Sequence, residues 1–149
     1  MAASAVSIGT SRPLRILLAE DNDGDVFLVR RALEKNQVAH ELIVARNGEE
    51  AWKLLEAAAD LQSPPPDLIL LDLNLPRFDG EQILTRLREK ETLQHVPIIV
   101  LTSSDSQRDR DKAMNLGARI YFRKPTDLQS FMNLGHVVAE LMADDPKQH

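Results

Sequence analysis

Four short strand-like runs in this 149-residue chain hand over directly to residues that can do chemistry. Leu14 to Ala19 stops at Glu20 and Asp21, and Leu68 to Leu71 at Asp72. Val96 to Leu101 stops at Thr102 and Ser103, and Arg119 to Arg123 at Lys124. If these runs are parallel strands, their carboxyl ends share one sheet edge, where open α/β sheets place their chemistry. Three carboxylates brought together there repel, and each raises the others' pKa unless a cation offsets them. Oxygen donors of this kind suit a hard divalent ion, and Mg²⁺ commonly takes one or two carboxylates together with phosphate oxygens. A lysine and a hydroxyl nearby complete a phosphate-binding set. The chemistry implied is a carboxylate nucleophile, Asp72, taking a phosphoryl group while a metal and Lys124 neutralise the developing charge.

The elements that must position these groups follow from the patterning. Leu68 to Leu71 is apolar without alternation and bounded by polar and turn residues, which predicts a strand buried on both faces at the centre of a parallel sheet. After the first strand, Val26, Val29 and Leu33 recur at helical spacing. His40 to Ala45 is a second strand, and Asn47-Gly48 turns into a helix with Ala51, Leu54, Leu55 and Ala58 inward. Gln62 to Pro66, with three prolines in a row, reads as an extended surface loop. Pro76 and Asp79-Gly80 lead into a helix over 80–91 with Ile83, Leu84 and Leu87 inward. Ser104 or Asp105 caps the next helix, which stops at Gly117. The polar run Arg119 to Arg123 predicts an edge strand. Thr126 or Asp127 caps a last helix ending near Met142. Five alternations of strand and helix predict a doubly wound five-stranded parallel sheet, a (βα)5 α/β fold with right-handed crossovers. Residues 1–13 read as a loose arm, 14–143 as the domain and 144–149 as a tail, with no room for a second domain.

Composition narrows the functional classes. A net charge of -5 gives no support for nucleic-acid binding. The absence of cysteine excludes disulfides and thiolate metal sites and fits a reducing, cytoplasmic setting. The apolar runs are too short to span a bilayer, and Met1 to Pro13 lacks the apolar core of a signal peptide. The four histidines are scattered without ligand spacing. The run Arg108 to Lys112 reads as a solvated helix face with local charge pairs.

The set Ala-Glu20-Asp21-Asn, Leu-Leu-Asp72-Leu-Asn-Leu-Pro76, Asp79-Gly80, Val-Leu-Thr102-Ser-Ser, Gly117-Ala118, Tyr121 and Arg-Lys124-Pro125 resembles the receiver domains of two-component response regulators. The resemblance runs from Arg15 to about Met142. It implies a CheY-like, flavodoxin-like sheet of strand order 2-1-3-4-5. It also implies that Asp72 is the phospho-acceptor, that Glu20, Asp21, Asp72 and the Asn74 backbone carbonyl hold Mg²⁺ (or Mn²⁺), and that Thr102 and Lys124 contact the phosphoryl oxygens. Tyr121 would change rotamer on activation, Asn74 and Ser104 would tune hydrolysis, and Lys124-Pro125 would be cis, an uncommon state even for proline. Glu-Asp-Asn-Asp-Gly-Asp25-Val and Asp-Leu-Asn-Leu-Pro-Arg are similar to the stand-alone regulators paired with bacterial and cyanobacterial phytochrome kinases. A light-sensing histidine kinase is therefore the expected upstream partner.

Rival readings exist for this constellation. A small aspartyl-phosphate phosphatase or phosphotransferase would need a second acid to activate water, and Asp79 is the only nearby candidate. A flavodoxin-like nucleotide-binding module would need a glycine-rich loop after the first strand, where Glu20-Asp21 instead repels phosphate. In the last helix, Leu128, Met132 and Gly135 can face inward while Phe131, Leu134, Val138 and Leu141 make a second stripe. Two apolar faces imply two partners. The expectation is a homodimer through the fourth helix, fifth strand and fifth helix, with Phe122 contributing.

Overall fold

The computed structural model describes residues 12–143; the expectations for residues 1–11 of the arm and for the 144–149 tail lie outside them. Five strands, β1 (Leu14–Ala19), β2 (His40–Ala45), β3 (Leu68–Leu71), β4 (Ile98–Thr102) and β5 (Ile120–Arg123), form one parallel sheet in the order β2-β1-β3-β4-β5. The helices between them are α1 (Asp23–Lys35), α2 (Gly48–Ala59), α3 (Gly80–Leu87) and α4 (Gln107–Asn115), followed by α5 (Leu128–Phe131) and α6 (Asn133–Ala143). This is the strand order of a flavodoxin-like, CheY-like fold.

Each strand sends alternate side chains to opposite faces, so two cores form. Leu17, Ile69, Leu71 and Val100 pack under α2, α3 and α4 with Leu55, Ile83 and Leu84. On the reverse face, Ile16, Leu18, Leu68, Leu70 and Ile99 pack under α1 and α6 with Val29, Leu33, Leu134 and Val138. All four residues of β3 are buried, as a central strand requires. Full burial of such side chains contributes about 1.5–3 kcal/mol each, which holds β3 in place and fixes the height of the residue that follows it.

Helix ends depart from the expectation where packing decides them. Ser106, not Ser104 or Asp105, caps α4, its hydroxyl accepting from Asp109 N. Asp79 caps α3 in a reciprocal box with Gln82, and α3 ends at Leu87 because Lys90 to Val96 close a separate turn that seats Leu93 in the core. Leu54 is more exposed than the α2 stripe predicts.

The last helix corrects a larger expectation. Phe131, Met132, Leu134, Val138, Leu141 and Met142 all bury in the α1-side core, whereas Leu128 is 60% exposed. The stripe assigned to a second partner is the core stripe, broadened by a break at Met132 between α5 and α6. The Met132 carbonyl and that of Ala32 both accept from Asn36 Nδ2, at 3.1 and 2.9 Å. Gly135 lies so close to α1 that a Cβ there would strike the Ala32 carbonyl oxygen. No helix among the described residues is long and apolar enough to cross a membrane.

The foot of β3 is anchored by charge. Asp67 accepts from Arg12 through both oxygens at 2.7 and 2.8 Å and from Arg15 N at 2.8 Å. Burial opposes its ionisation, but these hydrogen bonds and the arginine charges outweigh it and hold its pKa below the usual aspartate value. A depressed carboxylate contributes stability above its unfolded pKa and loses it as the pH falls through the folded value. Asp67→Asn is therefore expected to lower stability by about 1 kcal/mol at neutral pH, Arg12 being largely solvated. In urea unfolding, the gap between the two proteins should close on acidification through the aspartate range.

Candidate functional site

The ladder continues one residue past three strand ends, and that extension places the site. Glu20 N donates to Ala45 O at 2.9 Å, Asp72 N to Ala19 O at 3.1 Å and Lys124 N to Thr102 O at 2.7 Å. Glu20, Asp72 and Lys124 are thus fixed by backbone pairing, as Asp21 is by following Glu20. One oxygen from each of Glu20, Asp21 and Asp72 lies within 4.8 Å of the others. Glu20 and Asp72 are buried and Asp21 is exposed. An all-oxygen donor set at this separation, open to solvent on the Asp21 side, fits a hard divalent cation.

Lys124 sits over these groups with its side chain 10% exposed. Its Nζ is 2.6 Å from Glu20 Oε1, 2.8 Å from Asp25 Oδ2 and 3.1 Å from Asp72 Oδ2. Burial alone would push the ammonium's pKa down, but the hydrogen bonds to Asp25 and Glu20 and the charge of Asp72 outweigh it, so it is raised. Glu20 is pushed up to about 7, first by burial and further by the charge of Asp72, against the opposition of Lys124 and of Asn22 N. Between the two, the lysine keeps the proton.

Asp72 Oδ1 accepts from Asn74 N at 3.0 Å, so its two oxygens are held differently, one by a backbone amide and one by an ammonium. Thr102, fully buried, accepts from Asn74 Nδ2 and from Ser104 N, both at 3.4 Å. Tyr121 is buried beneath this corner. Its hydroxyl donates to Ser104 O at 3.0 Å and its ring carries the Arg110 guanidinium 4.8 Å above the centroid. Ser104 Oγ donates to Asp109 at 2.6 Å.

The structure therefore brings Glu20, Asp21, Asp72 and Lys124 together and ties Thr102 to Asp72 through Asn74, whereas Ser103 is exposed and stands outside these contacts. It differs on one point: no peptide bond among the described residues is cis, so Lys124-Pro125 is trans. Trans is the intrinsic preference of X-Pro bonds by about 0.5–1 kcal/mol, and the trans chain already delivers Lys124 Nζ to all three carboxylates. Two participants were not legible as such. Asp25 is noticeable in the sequence only as part of an acidic turn, although its place three residues after the capping Asn22 puts it on the first turn of α1. Arg110 belongs to a run that reads as a solvated face, and its stacking on Tyr121 depends on the α4–β5 packing.

Residues 16–134 match the family model of the response regulator receiver domain. The chain belongs to this family. The response regulator Rcp1 of Synechocystis sp. is 36% identical over 123 residues, covering 82% of this chain and 84% of that protein. The phosphorylated cyanobacterial phytochrome response regulator RcpA superposes with a TM-score of 0.79 at 32% identity, covering 89% of this chain and 95% of that one. The Mn²⁺-bound form of Rcp1 superposes with a TM-score of 0.78 at 33% identity, covering 89% and 96%. As a receiver domain, the protein takes a phosphoryl group in two-component signalling, and its partner is a histidine kinase.

For the receiver site, the raised Glu20 carboxylate sets a pH dependence. A cation entering among Glu20, Asp21 and Asp72 must displace the Glu20 proton below about pH 7. Calorimetric titration with a divalent cation should show affinity rising between about pH 5 and about pH 8. Glu20→Gln should weaken binding and flatten that rise.

Proposed function

We propose that Asp72 is the phospho-acceptor of this receiver domain. The observation that carries the reading is its carboxylate, with Oδ2 3.1 Å from Lys124 Nζ and Oδ1 3.0 Å from Asn74 N, at the end of the buried central strand. An Asp72 oxygen attacks phosphorus, the P–N bond of the kinase phosphohistidine breaks, and the departing imidazole nitrogen takes up a proton. Glu20, Asp21, Asp72 and the Asn74 backbone carbonyl would hold Mg²⁺ (or Mn²⁺). That ion supplies charge neutralisation on the transferring group. Lys124 and Thr102 bind the phosphoryl oxygens. The product carries roughly two extra negative charges where a carboxylate stood. Thr102 shifts towards it, Ser104 N and Asn74 lose their present acceptor, and Tyr121 moves because Ser104 O is its anchor. The signal is a changed α4–β5 surface, a population shift biased by differential contacts.

The similarity to RcpA supports a phytochrome as the upstream kinase, acting in the cytoplasm. Against the phosphatase reading stands the place of Asp79, its candidate second acid, which caps α3 with its side chain accepting from Gln82 N. Mg²⁺-dependent labelling by acetyl phosphate should reach one phosphoryl group per chain in the wild type and vanish in Asp72→Asn. Retained labelling in that variant removes Asp72 as acceptor, and transfer from an autophosphorylated phytochrome kinase tests the partner.

Self-association through α4, β5 and the last helix has less to draw on than the sequence suggests. Met114 and Leu128 are the exposed large apolar side chains of α4 and α5, and Phe122 is half-buried against Phe131. Sedimentation at tens of micromolar, with and without beryllofluoride, should show a dimer; a monomer in both conditions dismisses it.

A further inference from the structure

A lysine ammonium has three N–H donors, and in this protein Lys124 has three carboxylate partners, Glu20, Asp25 and Asp72. Two of those partners belong to the cluster that can hold a cation, and Asp25 does not. The three also differ in exposure, with Asp25 at 25% and the other two almost sealed. Asp25 is held independently of the site: its backbone N donates to the Asn22 side chain at 2.9 Å, which locks it into the first turn of α1.

We propose that Asp25 is a positioning residue that keeps Lys124 Nζ over the acceptor when its other partners are claimed. This rests on the reading that Lys124 contacts the phosphoryl group on Asp72. Any cation among Glu20, Asp21 and Asp72 competes with Lys124 for the same carboxylate oxygens. An incoming phosphoryl group then consumes the Asp72 oxygen as well. Fixing a lysine stem costs side-chain rotamer entropy, so without a standing partner the ammonium is free to leave the edge. Asp25 is that partner, 2.8 Å from Nζ and outside the competition. Neither of the rival explanations for an acid at this place predicts the same result. A carboxylate acting only through its field would repel an anionic phosphodonor, so its removal would speed phosphorylation. A residue serving only the helix, by charge–dipole interaction in the first turn, would change stability slightly and leave the rate alone.

The test uses the full chain with acetyl phosphate and saturating Mg²⁺, comparing wild type, Asp25→Asn and Asp25→Glu. The Asn variant should label about tenfold more slowly, a loss of about 1.4 kcal/mol in transition-state stabilisation. The Glu variant, which keeps a carboxylate within reach, should recover most of that loss. In nitrogen-15 spectra of the Mg²⁺-saturated protein, where the cation claims Glu20 and Asp72, the Lys124 ammonium signal should be protected in the wild type and lost to solvent exchange in the Asn variant. Labelling of Asp25→Asn at or above the wild-type rate overturns the proposal, as does slower labelling with an unchanged Lys124 signal or a Glu variant as slow as the Asn one. A wild type that does not label, or an Asp72→Asn protein that does, refutes the acceptor assignment instead and is read from separate samples.

Discussion

The ammonium of Lys124 lies within ion-pair distance of Glu20, Asp25 and Asp72, and the carboxyl edge of the sheet is tolerable because of it. Carboxylates crowded this closely repel one another, and the ammonium among them offsets that repulsion. The balance depends on register. Lys124 follows β5 directly, its amide paired to Thr102 O, while Arg123 one step earlier points to solvent and pairs with Asp105. A slip of one residue in β5 would exchange these two side chains between faces and leave the acids uncompensated. The polar, four-residue edge strand is therefore held as firmly by the charges it serves as by its own modest burial.

What the sequence revealed, it revealed through burial. Leu68 to Leu71 and Asp72 were legible because an unbroken apolar run has few explanations, and its end marks where solvent begins. The alternation of strands and helices then placed Glu20, Asp21, Thr102 and Lys124 along one edge without any knowledge of distance. Contacts made by long or surface side chains carried no such mark. Asp25 and Arg110 act through reach across elements: the turn around Asp25 carries a family resemblance but not its contact with Lys124, and Arg110 sits in a run that reads as solvated. The last helix misled for a related reason. The stripe of Phe131, Leu134, Val138 and Leu141 that looks like a second face buries together with Met132, Gly135 and Met142 as one broad core face against α1.

From the acceptor corner a continuous set of polar contacts leads outward: Asp72 to Asn74, Asn74 to Thr102, Thr102 to Ser104, and Ser104 to both Tyr121 and Asp109. The contacts at Thr102 are long, at 3.4 Å, while those at Ser104 are short, down to 2.6 Å. The long links lie in the middle of the set, at Thr102, with shorter ones at Asp72 and towards α4. A perturbation at Thr102 therefore meets little resistance locally and must act on Ser104 as a unit with Tyr121 and Asp109. Arg110, stacked on the Tyr121 ring, ties the guanidinium surface of α4 to the same unit. Connection alone is not coupling, which requires two arrangements of similar energy, but this is where a second arrangement would have to form.

The loop from Asn74 to Asp79 has its floor in another element. Gly48 N donates to Pro76 O at 3.0 Å, and a Cβ on Gly48 would land on the Phe78 carbonyl oxygen. Arg77 between them holds a left-handed φ of 73°, so the loop has little freedom to step aside. The consequence is a constraint on divergence. A descendant of this chain cannot acquire a side chain at position 48 and keep this path from Pro76 to Phe78; the two places, far apart in the chain, must drift together. A change at the start of α2 would then be read at Asn74, where the loop meets Asp72.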